Sequence, residues 1–173
     1  MRKVEIVPYK SEWKKEFIKE KNLLSPIFST LHSRIHHIGS TSVPGLAAKP
    51  IIDILIEVFD INEVDQLSYG MAVLGYEAKG EHGIPKRRFF FKNENGRRTH
   101  HIHVFERDTE DVIRHLCFRN YLVAHPEKSQ EYMELKERLA EAYPENIDAY
   151  MDGKHDWVQE HERIAIEWSQ REL

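Results

Sequence analysis

HIGSTSVPGLAAKPIIDILIEV, residues 37–58, joins a glycine-containing turn to an apolar strand, and its reading decides the fold. The turn is Gly39-Ser40, with Ser40, Thr41 and Ser42 supplying three hydroxyls. Residues 51–58 are almost all apolar and β-branched, the composition of a strand buried on both faces. One carboxylate, Asp53, stands among the isoleucines. Exposed amides and hydroxyls in such a turn can hold phosphate oxygens, and Gly39 lets the backbone come close to a ligand. The segment is not a P-loop: Gly39 and Gly45 are wrongly spaced, and Lys49 is not followed by Ser or Thr. A tight turn with Ser or Thr as a helix cap is the simpler local reading.

Asp53 carries more weight. A carboxylate within IIDILI is costly unless a metal, a cation or hydrogen bonds compensate it. On a period of two, Asp53, Leu55 and Glu57 share one face. Metal sites for phosphoryl transfer usually gather two or three carboxylates. Leu55 occupies the nearest position for a second acid, and Glu57 lies about 13 Å further along the strand. An ion pair of Asp53 with Lys49, Arg87 or Arg88 is the alternative to a functional role.

Outward from this segment, residues 4–8 read as a short strand and 11–31 as a helix with Trp13, Phe17, Leu24 and Phe28 facing inward. Residues 34–38 form a strand leading into the turn. Asp60 begins a helix with a capping-box spacing to Glu63, and Gly75 ends it. Residues 86–94 and 97–106 form a hairpin about Asn95-Gly96, the strongest two-residue hairpin signal. Counting outward predicts Arg88 opposite His103, Phe90 opposite His101 and Lys92 opposite Thr99, all on one face. Phe89, Phe91, Ile102 and Val104 would then form the other, apolar face. Helices follow over about 111–124, 127–142 and 147–171, separated by His125-Pro126 and Tyr143-Pro144.

The chain of 173 residues is long enough to bury a core without disulfides, and its net charge of −4 argues against nonspecific nucleic-acid binding. A small anion in a local basic pocket is compatible with that charge. The single cysteine, Cys117, reads as a small core residue in a reducing compartment. No run approaches the roughly 20 apolar residues of a membrane span, so the expected setting is the cytoplasm, with no membrane partner.

Among eleven histidines, His101 and His103 share a strand face. Such a pair can ligate a transition metal with Asp53, bind an anion with Arg88, or supply a general base. The alternative is a solvated polar sheet face. Arg88 on that face would neutralise a triphosphate or pyrophosphate. Arg119, Lys136 and Lys154 on the helices could reach the same cleft.

Several stretches together resemble the GrpB-like proteins: HIGSTSVPGLAAKPIIDI at 37–54, HIHVF at 101–105, FRNYLVAHPE at 118–127, YMELK at 132–136, and the spacing of Tyr150 and Lys154. That family resembles the nucleotidyltransferase superfamily, marked by a Gly-Ser turn and a strand bearing Asp-x-Asp or Asp-x-Glu. Gly39, Ser40 and Asp53 match the mark, whereas Leu55 departs from it at the second acid. Similar domains fused to dephospho-CoA kinases imply a nucleotide or coenzyme A partner.

The expected fold is α+β: a nucleotidyltransferase-like mixed β-sheet flanked by helices over residues 1–108, with a helical C-terminal region, 109–173, packed on it as one structural domain. The expected activity is transfer of a nucleotidyl group from a nucleoside triphosphate to an unknown acceptor, with Asp53, His101 and His103 catalytic. The same three residues would hold a divalent metal, Mg or Mn, or a transition metal if the histidines ligate. Gly39, Ser40, Thr41, Lys49, Arg88, Tyr132, Lys136 and Lys154 would bind the nucleotide or another phosphate-bearing small molecule. A non-catalytic nucleotide- or coenzyme A-binding module and a metal-dependent hydrolase are the alternatives.

Overall fold

A computed structural model describes residues 3–172. Its centre is a five-stranded sheet of β1 (Arg34–Ile38), β2 (Ile52–Val58), β3 (Tyr76–Ala78), β4 (Arg88–Glu94) and β5 (Arg97–Glu106). The strand order is β1-β2-β5-β4-β3, with β2 and β5 parallel and every other pair antiparallel. β2 therefore lies inside the sheet, which is why it is apolar on both faces.

Helices α1 (Glu12–Phe28) and α2 (Ser68–Val73) cover one face. There Ile52, Ile54, Ile56 and Val58 of β2 pack with Leu24, Phe28 and Met71, all of them wholly or almost wholly excluded from water. Trp13, Leu24 and Phe28 of α1 are buried and Phe17 packs beside them, as the helical spacing requires. The opposite face is covered by α3 (Glu110–Ala124), whose Val112 packs with Ile38, Leu55 and Phe105. α4 (Pro126–Ala142) and α5 (Ile147–Arg171) complete a helical layer with α3, closed over Val43 and Leu46 of the loop before β2. Cys117 packs against this last cluster and is unpaired.

Two local expectations need correction, and one short strand was not expected. Residues 4–8 form no strand; Val7 makes an isolated bridge to Ala48, and Pro8 has no N–H with which to extend it. After Asp60 the chain first forms a 3₁₀ run, Ile61–Leu67, before α2. Asp60 does cap it, but its carboxylate accepts from the N–H of Asn62 at 2.9 Å and not from Glu63. Strand β3 was not apparent in the sequence, because its three residues fall below the length at which alternation can be read.

The hairpin holds the most consequential correction. Asn95 and Gly96 both have positive φ, 52° and 74°, as the two-residue turn demands. The register then slips between Lys92, opposite His100, and Asn93, opposite Arg98, leaving Thr99 as an extra residue on β5. One extra residue moves every later side chain to the other partner and face. His103 consequently faces Phe89, and His101 faces Phe91. Arg88 is opposite Val104, on the face away from the histidines, and its guanidinium is held by Asp65 at 2.7 Å and 3.2 Å.

Candidate functional site

Asp53 stands where the end of β1 meets the start of β2, opposite Ile38 on one side and His101 on the other. The chain leaves β1 through Gly39, which adopts φ 74° and ψ −177°. A Cβ at Gly39 would lie 2.7 Å from Asp53 Oδ2. Backbone angle and close approach both require glycine here, and together they press the turn against the carboxylate. Asp53 keeps 29% of its side-chain surface and lines a cavity of about 290 Å³.

Asp53 Oδ1 lies 3.3 Å from His101 Nδ1 and 3.6 Å from His103 Nε2. Burial is the largest influence on the carboxyl and pushes its pKa up. The two imidazoles more than offset it and hold the group well below the usual carboxylate range. Asp53 is thus an anion throughout the neutral range. Each imidazole is backed by a guanidinium: Arg98 Nη1 lies 3.2 Å from His101 Nε2, and Arg87 Nη1 lies 3.3 Å from His103 Nδ1. A guanidinium only donates, so the ring nitrogen facing it accepts, and the nitrogen facing Asp53 carries the proton. Burial, opposed by Asp53, lowers the pKa of His103. The histidines meet Asp53 as N–H donors.

This arrangement bears on a metal. No group of three His, Cys, Asp or Glu among the described residues is placed to hold an ion. With their lone pairs turned to Arg87 and Arg98, His101 and His103 do not present a three-ligand transition-metal set with Asp53. A single carboxylate facing a cavity does suit an oxygen-preferring ion that takes its other ligands from water and substrate phosphates. The nearest acidic alternatives are elsewhere engaged. Leu55 is fully buried against Phe105 and Val112, and Glu57 is paired with His36 at 2.6 Å.

Positive groups converge from three segments. Lys49, Lys136 of α4 and Lys154 of α5 all line the Asp53 cavity together with Ser40. Lys136 is 2% exposed; its Nζ donates to Ser40 Oγ at 2.9 Å and to the Ala47 carbonyl at 2.6 Å. Burial first, then Lys154 and Lys49, bring its pKa down to about 7. Burial lowers Lys154 as well, with Asp53 pulling the other way. The fully buried Tyr150 ring lies between Lys49 at 5.4 Å and Lys154 at 5.2 Å, and its hydroxyl has no hydrogen-bond partner in the protein. Tyr132 also lines the cavity.

Thr41 lines the cavity but directs its hydroxyl to His37 Nε2 at 2.9 Å, and the His37 ring stacks on Phe17 at 4.8 Å. Burial brings the pKa of His37 down to about 4, so Thr41 has a neutral partner. Of the residues expected at the site, Gly39, Ser40, Thr41, Lys49, Asp53, His101, His103, Tyr132, Lys136 and Lys154 line one cavity. Arg88 does not, because of the bulge at Thr99. Sequence reasoning missed Arg87 and Arg98 behind the histidines, which no periodicity reveals across a bulge. It also gave no role to Tyr150, although Tyr150 and Lys154 are one helical turn apart.

A mixed sheet with a Gly-Ser turn beside an aspartate strand, flanked by helices, has the nucleotidyltransferase-like fold. The Cid1 poly(U) polymerase H336N mutant bound to MgATP superposes with a TM-score of 0.56 over 79% of this chain and 44% of that one, at 12% identity, a likeness of fold. The family model described as GrpB protein matches residues 3–163, and the chain belongs to the GrpB family. The crystal structure of conserved protein GrpB from Enterococcus faecalis has a TM-score of 0.92 at 40% identity, covering 96% of this chain and 99% of that one. UPF0157 protein YqkA of Bacillus subtilis is 47% identical over 96% of this chain, which spans 48% of YqkA. A dephospho-CoA kinase of Mycolicibacterium paratuberculosis is 26% identical over 96% of this chain and 47% of its own length. The chain thus spans about half the length of some of the relatives it matches. No helix among the described residues is long and apolar enough to cross a membrane.

Proposed function

We propose that the chain binds a nucleoside triphosphate by its phosphates and transfers the nucleotidyl group to an acceptor hydroxyl. The observation that carries this reading is the convergence of Lys49, Lys136 and Lys154 on the cavity that holds the Gly39-Ser40 turn and one carboxylate. Three lysines against one carboxylate suit a polyanion, whose charge favours their protonated forms, and a water-poor wall strengthens each contact. Ser40 and the turn amides would bind the β- and γ-phosphates, and Lys49 and Lys154 would offset charge on the departing pyrophosphate. The acceptor oxygen attacks the α-phosphorus, the bond to the β-phosphate oxygen breaks, and the hydroxyl proton passes to solvent. Asp53, kept ionised by His101 and His103, would orient the attacking hydroxyl. With the substrate's phosphates, Asp53 would also hold a Mg²⁺ or Mn²⁺ ion, which neutralises developing phosphate charge when bound.

The test is pyrophosphate release from each nucleoside triphosphate with Mg²⁺ or Mn²⁺ and a panel of hydroxyl acceptors. The expected result is release that drops about a hundredfold or more in Asp53→Asn. Orthophosphate release alone would point instead to hydrolysis.

A second reading, a nucleotide-binding module without chemistry, is favoured by the burial of Leu55 at the second-acid position. Saturable nucleotide binding with no pyrophosphate from any acceptor supports it. Absence of binding would overturn both readings.

A further inference from the structure

A second cavity, of about 260 Å³, opens beside the lysine-lined one, between α3 and α5. The two share Gly39, Ser40, Tyr132, Met151 and Lys154 in their walls. Each alone falls below the roughly 300 Å³ at which small-molecule sites usually begin, whereas joined they enter the usual range. The second has apolar walls of Val43, Phe118, Leu122 and Val158, and two of its charged groups, Arg114 and Arg119, are engaged by Glu162 and by the His37 carbonyl.

Tyr132 forms the partition. Its ring stacks on Trp157 at 4.8 Å and 8°, and Trp157 stacks on His161 at 3.7 Å and 14°. Phe118 meets it edge-on at 6.0 Å. Lys136 Nζ lies 4.6 Å from the centre of the same ring, so Tyr132 is held on both faces and forms a rigid wall of the chamber, leaving the flat apolar contact to Phe118 and the aliphatic side chains. At the far rim, Arg114 Nη1 and Glu162 Oε2 lie 3.3 Å apart, a donor and an acceptor bridging α3 and α5. The mouth on the other side of the lysine cavity is different. A cleft of about 500 Å³ that shares Lys49 and Ile51 with it carries Lys3, Arg97 and Arg98. That side suits further negative charge.

We infer that the chamber between α3 and α5 takes the heteroaromatic base of the nucleotide. The phosphates then run from Ser40 into the lysine cluster, and the basic cleft is left to the acceptor. This rests on the phosphate reading above and adds the direction in which the nucleotide lies. The base lies along the apolar walls beside Phe118 and Val158, with its polar edge toward Arg114 and Glu162.

Two measurements on the intact chain test it. The first compares equilibrium binding of tripolyphosphate with that of nucleoside triphosphates, each with Mg²⁺. The expected result is that both bind and that at least one nucleoside triphosphate binds about tenfold or more tightly. Equal affinities overturn the base chamber and leave the phosphate site standing. Binding of neither ligand overturns both. The second irradiates the chain with a base-azido nucleoside triphosphate and maps the labelled peptides. Label within residues 114–122 or 151–162, lost on competition with unmodified nucleotide, is expected. Label confined to residues 93–99, or absent from both helical segments, overturns the inference. Val158→Phe, which fills the chamber from a half-buried position, should lower nucleotide affinity toward that of tripolyphosphate and leave tripolyphosphate binding unchanged.

Discussion

Lys136 Nζ donates to Ser40 Oγ at 2.9 Å, joining α4 to the Gly-Ser turn across 96 positions of chain. The same ammonium reaches the Ala47 carbonyl, so a single buried cation fixes both ends of the loop that leads into the Asp53 strand. The helical layer thereby forms one wall of the site and sets the turn's geometry.

Titration of Lys136 should be visible in stability. Its pKa falls from an ordinary 10.5 to about 7 in the fold. Between those values the unfolded chain binds the extra proton, so stability rises with pH across that window. The penalty of the buried charge is fully present below about pH 7 and is relieved above it. The rise in unfolding free energy from pH 7 to 10 should therefore be larger in the native chain than in Lys136→Met, by an amount on the order of a few kcal/mol. Parallel curves would count against the depressed pKa. In the same variant, tripolyphosphate affinity should lose its preference for pH 6 over pH 8.

Gly39 and Gly45 separate backbone strain from contact. Both have positive φ, 74° and 83°, but only at Gly39 would a Cβ meet another atom, Asp53 Oδ2 at 2.7 Å. Gly39→Ala should cost about 2–4 kcal/mol in urea denaturation and disturb phosphate binding. Gly45→Ala should cost about 1 kcal/mol and leave binding intact. Equal losses at the two positions would remove the case for a turn pressed against the carboxylate.

The bulge predicts opposite fates for adjacent arginines. Arg88 binds Asp65, whose side chain is 60% exposed, and Arg88→Ala should change stability by less than about 1 kcal/mol with no effect on nucleotide affinity. Arg87→Met should instead release His103 Nδ1 from its donor. Nitrogen NMR of the histidine rings should show His103 protonated at Nε2 in the native chain and a mixture of tautomers in Arg87→Met. Co²⁺ added to the native chain should give none of the visible absorption of a two-histidine site. Its appearance, lost in His101→Ala, would show that the rings turn from donors into ligands.

On the far side of the sheet, Glu20 accepts from Lys92 Nζ at 2.5 Å and from Tyr76 Oη at 2.6 Å. Burial pushes its carboxyl up, but the hydrogen bonds from Lys92 and Tyr76, with His100 nearby, prevail and lower it from 4.5. A depressed carboxyl contributes stability that is present above its unfolded pKa and is lost as pH falls through its folded pKa. Lys92→Met should cost about 3–5 kcal/mol by leaving a buried carboxylate unpaired, and adding Glu20→Met should recover part of that loss. Additive losses in the double variant would mean that the two groups are not coupled.

Much of the fold is legible in local residue order. The limits of α3, α4 and α5 follow from Pro126, the Tyr143-Pro144 break and the helical period, because these act within a few positions of chain. Asn95-Gly96 likewise dictates its own turn. Register beyond that turn was not legible. The bulge at Thr99 depends on which faces of β4 and β5 find partners across the sheet, and it exchanged Arg88 for Arg87 behind the histidines.

Residue order by itself determined the strand around Asp53, the glycine turn before it and the absence of a second acid at Leu55, since each is a property of a few adjacent side chains. Tertiary structure alone decided that Lys136 and Lys154, from distant helices, share a cavity with that aspartate, and that the imidazoles present protons to it. The physical reason is that burial and hydrogen-bond partners are set by elements far apart in the chain. Those two conditions govern which groups are charged and which atoms are free to bind.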